Sequence, residues 1–500
     1  MFLDYNLAAA AFLGCCLGFL FTTLKMSIRT PPTLLELAGE SLLRDQASAI
    51  SALEYLPAEL FPPLFIQAYH RRIWQPLTAM VCAWPFTLLP LGGLMQLPPV
   101  MVLKAMLDEL DVLLAQKVRP RRWKLRVLDL RNMGDNFWRM WCGDSTQKCS
   151  LTGPVAVHSS SPNMEHPLAP LEVFLDLDFN ERDRDKFFMY IIQWAQQRKE
   201  LVHLCCKTLR FLEVPFERAR KVLDAVQLDC IQEVEVDYPL DLPTLGSFAL
   251  YMGQMSNLQR LSLSHINLLA EEEEDWVSKQ QEEQRSFSQF LTQMLRLQHL
   301  RDLNVESPSF LRGRLDQMLR CLQTPLDKLS IWFCCKLTHS DLRHLFQCPN
   351  LRQLKSLRLY GANLTNFSPE PLRALLEAVT PTLQDLQLDN CAMVDSQVKA
   401  ILPVLSRCHQ LRKFTISENH LSVATVEKLL RHTAGLHSLE FELYPIPLEC
   451  YRTQGTLDQE RVALIQAELM ETLSELGQPR TIRLHTKYFS SRYFYLVAFS

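Results

Sequence analysis

Leu326-Asp-Lys-Leu329-Ser-Ile331, Leu354-Lys-Ser-Leu357-Arg-Leu359, Leu383-Gln-Asp-Leu386-Gln-Leu388 and Leu411-Arg-Lys-Phe414-Thr-Ile416 share the form L-x-x-L-x-L. Three residues past each stands Cys334, Ala362, Cys391 or Asn419, and then an apolar residue at Leu337, Leu364, Val394 or Leu421. The starts lie 28, 29 and 28 residues apart. The last two apolar positions of each unit alternate with polar ones, as in a short strand that buries one face. A Cys or Asn just past the strand can satisfy backbone groups where the chain turns. Helical spacing follows, as in Pro371–Val379 and Val423–Arg431.

A strand plus a helix cannot bury its own apolar side, so successive units must stack. The period is that of leucine-rich repeats. Strands settle about 4.8 Å apart, whereas helices need roughly 8–10 Å. The stack therefore curves into an α/β horseshoe, with parallel strands concave and helices convex. Its concave face is a place to hold a protein, and the exposed strand residues Ser330, Arg358, Gln387 and Thr415 are the candidate substrate contacts.

Outward from this core, Leu125–Leu130, Leu171–Leu175, Ile231–Val236, Leu258–Leu263 and Leu300–Val305 read as further strands, with a helix over Phe187–Gln196. Leu436-His-Ser-Leu439-Glu-Phe441 reads as the last full unit, followed by a helix near Glu460–Leu476 and a strand at Thr481–Leu484. The repeat region is thus expected to run from 121 to 500. Residues 143–166, rich in Ser, Gly, Pro and Asn, read as a loop, and about 268–286, with the acidic run Glu271–Asp275, as a solvated insertion. Residues 26–120 are expected to form a helical cap. Thr33-Leu-Leu-Glu36 has capping-box spacing, and further helices are predicted over Leu60–His70 and Val100–Leu114. The basic stretch Lys117–Arg126 could bind phosphate or direct nuclear import, but reads better as a solvated repeat edge.

The 500 residues are 48% hydrophobic and 21% charged, with a net charge of −3. That balance gives no electrostatic case for nucleic acid. Fifteen scattered cysteines show no disulfide framework and suit reduced thiols of a cytoplasmic or nuclear protein. The uncharged run Leu7–Leu24 is barely long enough to span a bilayer. If it inserted, the following Lys25 and Arg29 would leave the bulk of the chain in the cytosol, and Cys15 and Cys16 would be palmitoylation candidates. The favoured expectation is that residues 1–25 are not a working anchor and that Met26 resembles a natural start. No phosphate-binding glycine loop, zinc-spaced cysteine pair or nucleophile elbow appears, so a non-catalytic protein without cofactor or metal is expected. His203-Leu-Cys205-Cys206 reads as buried structure and not as a ligand set.

The chain resembles the PRAME (preferentially expressed antigen in melanoma) family. The resemblance rests on Pro32–Gly39, Ser41–Asp45, Leu56–Phe65, Ala83–Phe86, Leu113–Lys124, Leu201–Lys207, Leu228–Val234 and Asp395–Val398. It implies a leucine-rich-repeat horseshoe and, as for some members, a substrate receptor of a cullin-2 RING ubiquitin ligase reached through elongin B and C. Roles in transcription, differentiation, proliferation and apoptosis come with it. Thr33, Leu34, Ala38 and Leu42 match an elongin-binding box, with Ala where Cys is more usual; Leu56, Pro57, Leu60 and Leu64 match a cullin-selecting box. That spacing puts each set on one helical stripe, although such stripes could equally face the module's own core. The family is also linked to repression of retinoic acid receptor signalling through L-x-x-L-L helices. Leu110, Leu113 and Leu114, and Leu372, Leu375 and Leu376, match that form, but in so leucine-rich a chain they are the expected convex-side core.

The reading is a ligase adaptor that engages elongin and cullin-2 through its leading helices and holds an unknown protein on its repeats. The alternatives are a receptor-binding repressor that needs no ligase and a membrane-anchored scaffold.

Overall fold

A computed structural model describes residues 33–94, 100–116, 120–131, 170–179, 184–212, 216–224, 226–268, 276–452, 456–477, 480–485 and 493–498. The expected loop at 143–166, the run at 7–24 and the acidic residues 271–275 lie outside them. The chain forms two compact units.

The first unit is helical: α1 (Leu34–Leu43), α2 (Gln46–Ala52), α3 (Phe61–His70) and α4 (Trp74–Cys82), with the part of α5 (Val100–Ala115) from Lys104 on. The sequence reading located α1, α3 and α5 but not α2 and α4. Thr33 caps α1 as its spacing predicts: its hydroxyl accepts from the Glu36 N–H (3.2 Å), and Glu36 accepts from the Thr33 N–H (2.6 Å). Asp45 caps α2 by accepting from Ala47 N–H at 3.1 Å. Pro62 and Pro63 fall in the first turn of α3, where a missing N–H costs nothing. Phe61 and Phe65 meet the fully buried Trp84 edge-on, with centroids 6.1 and 5.3 Å apart. Arg122, from the basic stretch, donates to the carbonyls of Leu53, Glu54 and Leu56, so it closes the end of α2 and is neither a phosphate ligand nor a solvated repeat edge.

The second unit is the repeat stack, and it takes in Phe86–Leu103, earlier than the expected start at 121. Strands β1 (Leu88–Pro90), β2 (Val127–Asp129), β3 (Leu171–Phe179), β4 (Val202–Phe211) and β5 (Glu233–Val236) open one large sheet. The short pair β6 (Leu240–Asp241) and β8 (Ile266–Asn267) stands apart from it. The large sheet continues through β7 (Arg260–Leu263), β9 (Asp302–Glu306), β10 (Lys328–Trp332), β11 (Ser356–Tyr360), β12 (Asp385–Asp389), β13 (Lys413–Thr415), β14 (Phe441–Pro445) and β15 (Arg480–His485). Every pairing in it is parallel except the last, β15 with β16 (Tyr493–Ala498). The α/β leucine-rich-repeat fold is therefore the one the spacing implies. Leu329, Leu357, Leu386 and Phe414 are all buried, as are Ile331, Leu359, Leu388 and Ile416.

Polar ties join one rung to the next. Asn419 accepts from the N–H groups of Cys391 (3.1 Å) and Met393 (3.0 Å) and donates to the carbonyls of Leu388 (2.7 Å) and Ile416 (2.8 Å). This is the role expected of an amide past the strand. Gln397 donates to the carbonyls of Leu364 (2.6 Å) and Phe367 (2.9 Å). The chain leaves successive strands through a left-handed residue: His265, Ser307, Phe333, Gly361, Asn390 and Glu418 all have positive φ.

Two expectations are corrected. In the last full unit, β14 begins at Phe441, with Phe441 opposite Lys413. Leu439, 28 residues after Leu411, thus takes the first-leucine position that the pattern assigned to Leu436. Glu442 and Tyr444 point inward in place of Leu439 and Phe441, and Tyr444 Oη donates to Glu442 Oε2 at 2.6 Å. The residues from Trp276 to 286 are no loop but the start of a helix, Trp276–Met294. Of the two readings of the L-x-x-L-L leucines, the favoured one stands and receptor binding is overturned, because all six are core: Leu110, Leu113 and Leu114 are 1–5% exposed, and Leu372, Leu375 and Leu376 at most 2%. A side chain so covered cannot lie in another protein's groove while the chain stays folded.

Candidate functional site

In α1, whose only buried residue is Leu43, apolar side chains face solvent: Leu34 is 86% exposed, with Leu35, Leu37 and Ala38 also exposed. Leu42 is half-buried. An amphipathic helix ordinarily turns its leucines inward, so this one carries apolar surface its own unit does not use. Thr33, Leu34, Ala38 and Leu42 therefore occupy one accessible stripe, anchored at its start by the capping box.

The second set is divided. Pro57 is exposed, Leu56 and Leu60 are half-buried, and Leu64 is 5% exposed in the core beside Phe61 and Phe65. Leu64 therefore serves chiefly to hold the module together. The structure nevertheless brings the two sets to one place. Ala38 and Leu42 from α1, with Leu56, Leu60 and Leu64 around α3, line a narrow apolar groove of about 100 Å³. Gly39 allows this approach: a Cβ there would meet Gln67 Oε1 at 2.2 Å. Gln67 also donates to the Glu36 carbonyl at 3.3 Å. Arg71 pairs with Glu40 at 2.9 Å, and its hydrogen bond holds the Glu40 carboxyl below its ordinary value. These contacts fix α1 against α3.

A larger cleft of about 810 Å³ lies in the same unit, lined among others by Ile50, Thr78, Cys82 and Glu109. No short motif signals it, because its walls come from distant segments. Burial, and then Glu109, push the Cys82 thiol up to about 12. It is therefore protonated at neutral pH and no nucleophile.

In the repeat unit, Ser330, Arg358, Gln387 and Thr415 stand in one row across β10 to β13, each directly opposite the next. Ser330 and Arg358 are half-exposed, but Gln387 is 6% exposed and Thr415 2%. Thr415 is occupied internally, its hydroxyl donating to Asp389 Oδ2 at 2.7 Å. Arg358 forks onto Asp385. As candidate contacts, then, Ser330 and Arg358 remain and Gln387 and Thr415 are withdrawn. What the sequence missed lies two residues further along the strands, where Trp332 and Tyr360 stack on this face at 5.9 Å.

His203, Cys205 and Cys206 fall on β4. Among the described residues no cluster of His, Cys, Asp or Glu is placed to hold a metal ion. No helix among them is long and apolar enough to cross a membrane.

Fold and surfaces define a leucine-rich-repeat protein with a helical N-terminal module that keeps leucines on its outside. The family model for the PRAME N-terminal domain matches residues 31–138 and that for the PRAME C-terminal domain residues 171–492. The chain belongs to the PRAME family. It is 50% identical over 465 residues to human PRAME family member 12, covering 92% of this chain and 94% of that one. Human PRAME family member 8 is 49% identical over 457 residues (91% and 95%), and member 1 is 43% identical over 460 (91% and 95%). A solved structure from Bacteroides fragilis covers 52% of this chain and 63% of that one at 12% identity, with a TM-score of 0.22, too slight a likeness to bear on the argument.

Proposed function

We propose that this chain is a substrate-recognition adaptor of a cullin-2 RING ubiquitin ligase. Its helical module engages elongin B and C through Thr33, Leu34, Ala38 and Leu42, and cullin-2 through Leu56, Pro57 and Leu60. The open face of its repeat sheet holds the protein to be modified. The observation that carries the reading is Leu34, a large apolar side chain left 86% exposed on a well-capped helix. The receptor-binding alternative loses its support, because the leucines it needs are core.

The test is recovery of elongin B/C and cullin-2 on the full chain carrying Leu34→Asp or Leu60→Asp, with circular dichroism confirming the fold. Loss of elongin with the first and of cullin-2 with the second is expected. Undiminished recovery of both overturns the proposal.

A further inference from the structure

Where successive rungs turn through a left-handed residue, neighbours use Ser307, Gly361 and Asn390, but one rung places a phenylalanine there, Phe333 at φ +52°. Glycine and asparagine tolerate that conformation; a bulky ring rarely adopts it. Phe333 is also 50% exposed, so burial does not account for it.

Its ring meets Tyr360 edge-on at 5.3 Å, and Tyr360 in turn stacks on Trp332 at 5.9 Å with planes 30° apart. Trp332 and Tyr360 are half-exposed on the face turned away from the buried Leu329 and Ile331. Three aromatic rings thus form one surface beside Ser330 and Arg358.

Carboxylates surround it. Glu306 lies directly opposite Trp332 on β9; Asp389, directly opposite Tyr360 on β12, is engaged by Thr415 and Ser417, which donate to both its oxygens. Glu418 accepts from the Tyr360 hydroxyl at 3.5 Å. The charged neighbour on the same strand, Arg358, is held by Asp385. His265 stands 3.9 Å from Glu306 and His485 3.4 Å from Glu418.

Aromatic faces carry negative potential and attract a cation, tryptophan most strongly, and a guanidinium can also stack flat on them. Carboxylates at the edges add to that attraction and repel an acidic partner. A purely apolar partner would have to desolvate them without compensation.

We propose that Trp332, Phe333 and Tyr360, flanked by Glu306 and Glu418, seat a cationic side chain, arginine or lysine, from the protein held on this sheet. The inference rests on the adaptor reading only for the identity of that protein as a ligase target.

The experiment selects short random phage-displayed peptides on the full chain, then retests each clone on Trp332→Ala and Phe333→Gly. Glycine suits the left-handed position, so the second variant removes the ring without threatening the fold. Clones that lose at least about tenfold in binding on both variants are expected to carry an arginine or lysine. Changing it to glutamine should abolish capture, and Glu306→Gln should weaken it. Glu370→Gln, on an exposed helix position away from the sheet, should change nothing. The proposal is overturned if no clone depends on Trp332 and Phe333, if dependent clones lack a basic residue, or if Glu370→Gln weakens binding as much as Glu306→Gln. Elongin recovery on the same variants is expected to be unchanged. If elongin never binds while the peptides do, the ligase reading fails and the cation seat stands.

Discussion

Leu34→Ala and Leu43→Ala remove the same atoms from the same helix and should have opposite consequences. Leu43 is 2% exposed, and emptying such a core site costs about 2–5 kcal/mol of stability. Leu34, 86% exposed, contributes almost nothing to the free chain, so its truncation should leave stability within about 0.5 kcal/mol of the parent. If a partner covers it, the balance changes. Fully burying a leucine is worth roughly 1.5–3 kcal/mol, so losing most of that on binding weakens the complex by about 30-fold. The exposed Ala38 supplies a second reading of the same surface. Ala38→Leu should block close approach of a partner at no cost in stability, whereas Ala38→Cys should preserve binding or tighten it. Urea denaturation of the full chain and titration calorimetry with purified elongin B/C measure the two quantities separately. An unchanged dissociation constant for Leu34→Ala, or a stability loss as large as that of Leu43→Ala, would refute the assignment of α1 as a docking helix.

Other consequences follow from the repeat unit. Asn419→Ala leaves two buried N–H groups and two carbonyls without partners and should cost about 2–4 kcal/mol, seen as a lower urea midpoint. Tyr444→Phe deprives the buried Glu442 of its 2.6 Å donor and should cost about 1–3 kcal/mol; a silent substitution would mean that β14 keeps the register with Leu439 and Phe441 inside. Burial raises the Asp389 carboxyl above its ordinary value, so the folded state holds that proton longer than the unfolded one. Its contribution is then full below about pH 4 and falls as pH rises through the raised value. Relative to the parent, Asp389→Asn should gain stability over that interval; a pH-independent difference between the two would refute this. Burial pushes Cys334 up to about 12 while its neighbour Cys335 is exposed. Brief alkylation at neutral pH followed by peptide mapping should therefore find Cys335 modified and Cys334 intact.

What the sequence disclosed and what it withheld divide along one physical line. The L-x-x-L-x-L units and the Thr33–Glu36 cap are set by neighbours a few residues away, so spacing alone locates the strands of those units and the start of α1, but not β1, β4 or β16, which lack the pattern. Exposure is set by whatever lies across the fold, and spacing is silent about it. Leucines at helical intervals are seen in Leu34 and Leu42, on an accessible stripe, and equally in Leu372, Leu375 and Leu376, which are sealed. Gln387 and Thr415 alternate as faithfully as Ser330 and Arg358, yet the first two are covered. Register failed at β14 because Leu436 and Leu439 both offered a plausible first leucine. There, 28-residue continuity from Leu411 to Leu439 outweighed local hydrophobicity, even at the cost of turning Glu442 inward. The same reasoning applies to Phe333. Periodicity defined its rung, but its left-handed backbone and half-exposed ring become meaningful only beside Trp332 and Tyr360, which the sheet register brings to it. In a repeat protein the regular positions build the scaffold. Function is therefore best sought where a rung spends a costly residue that its neighbours do without.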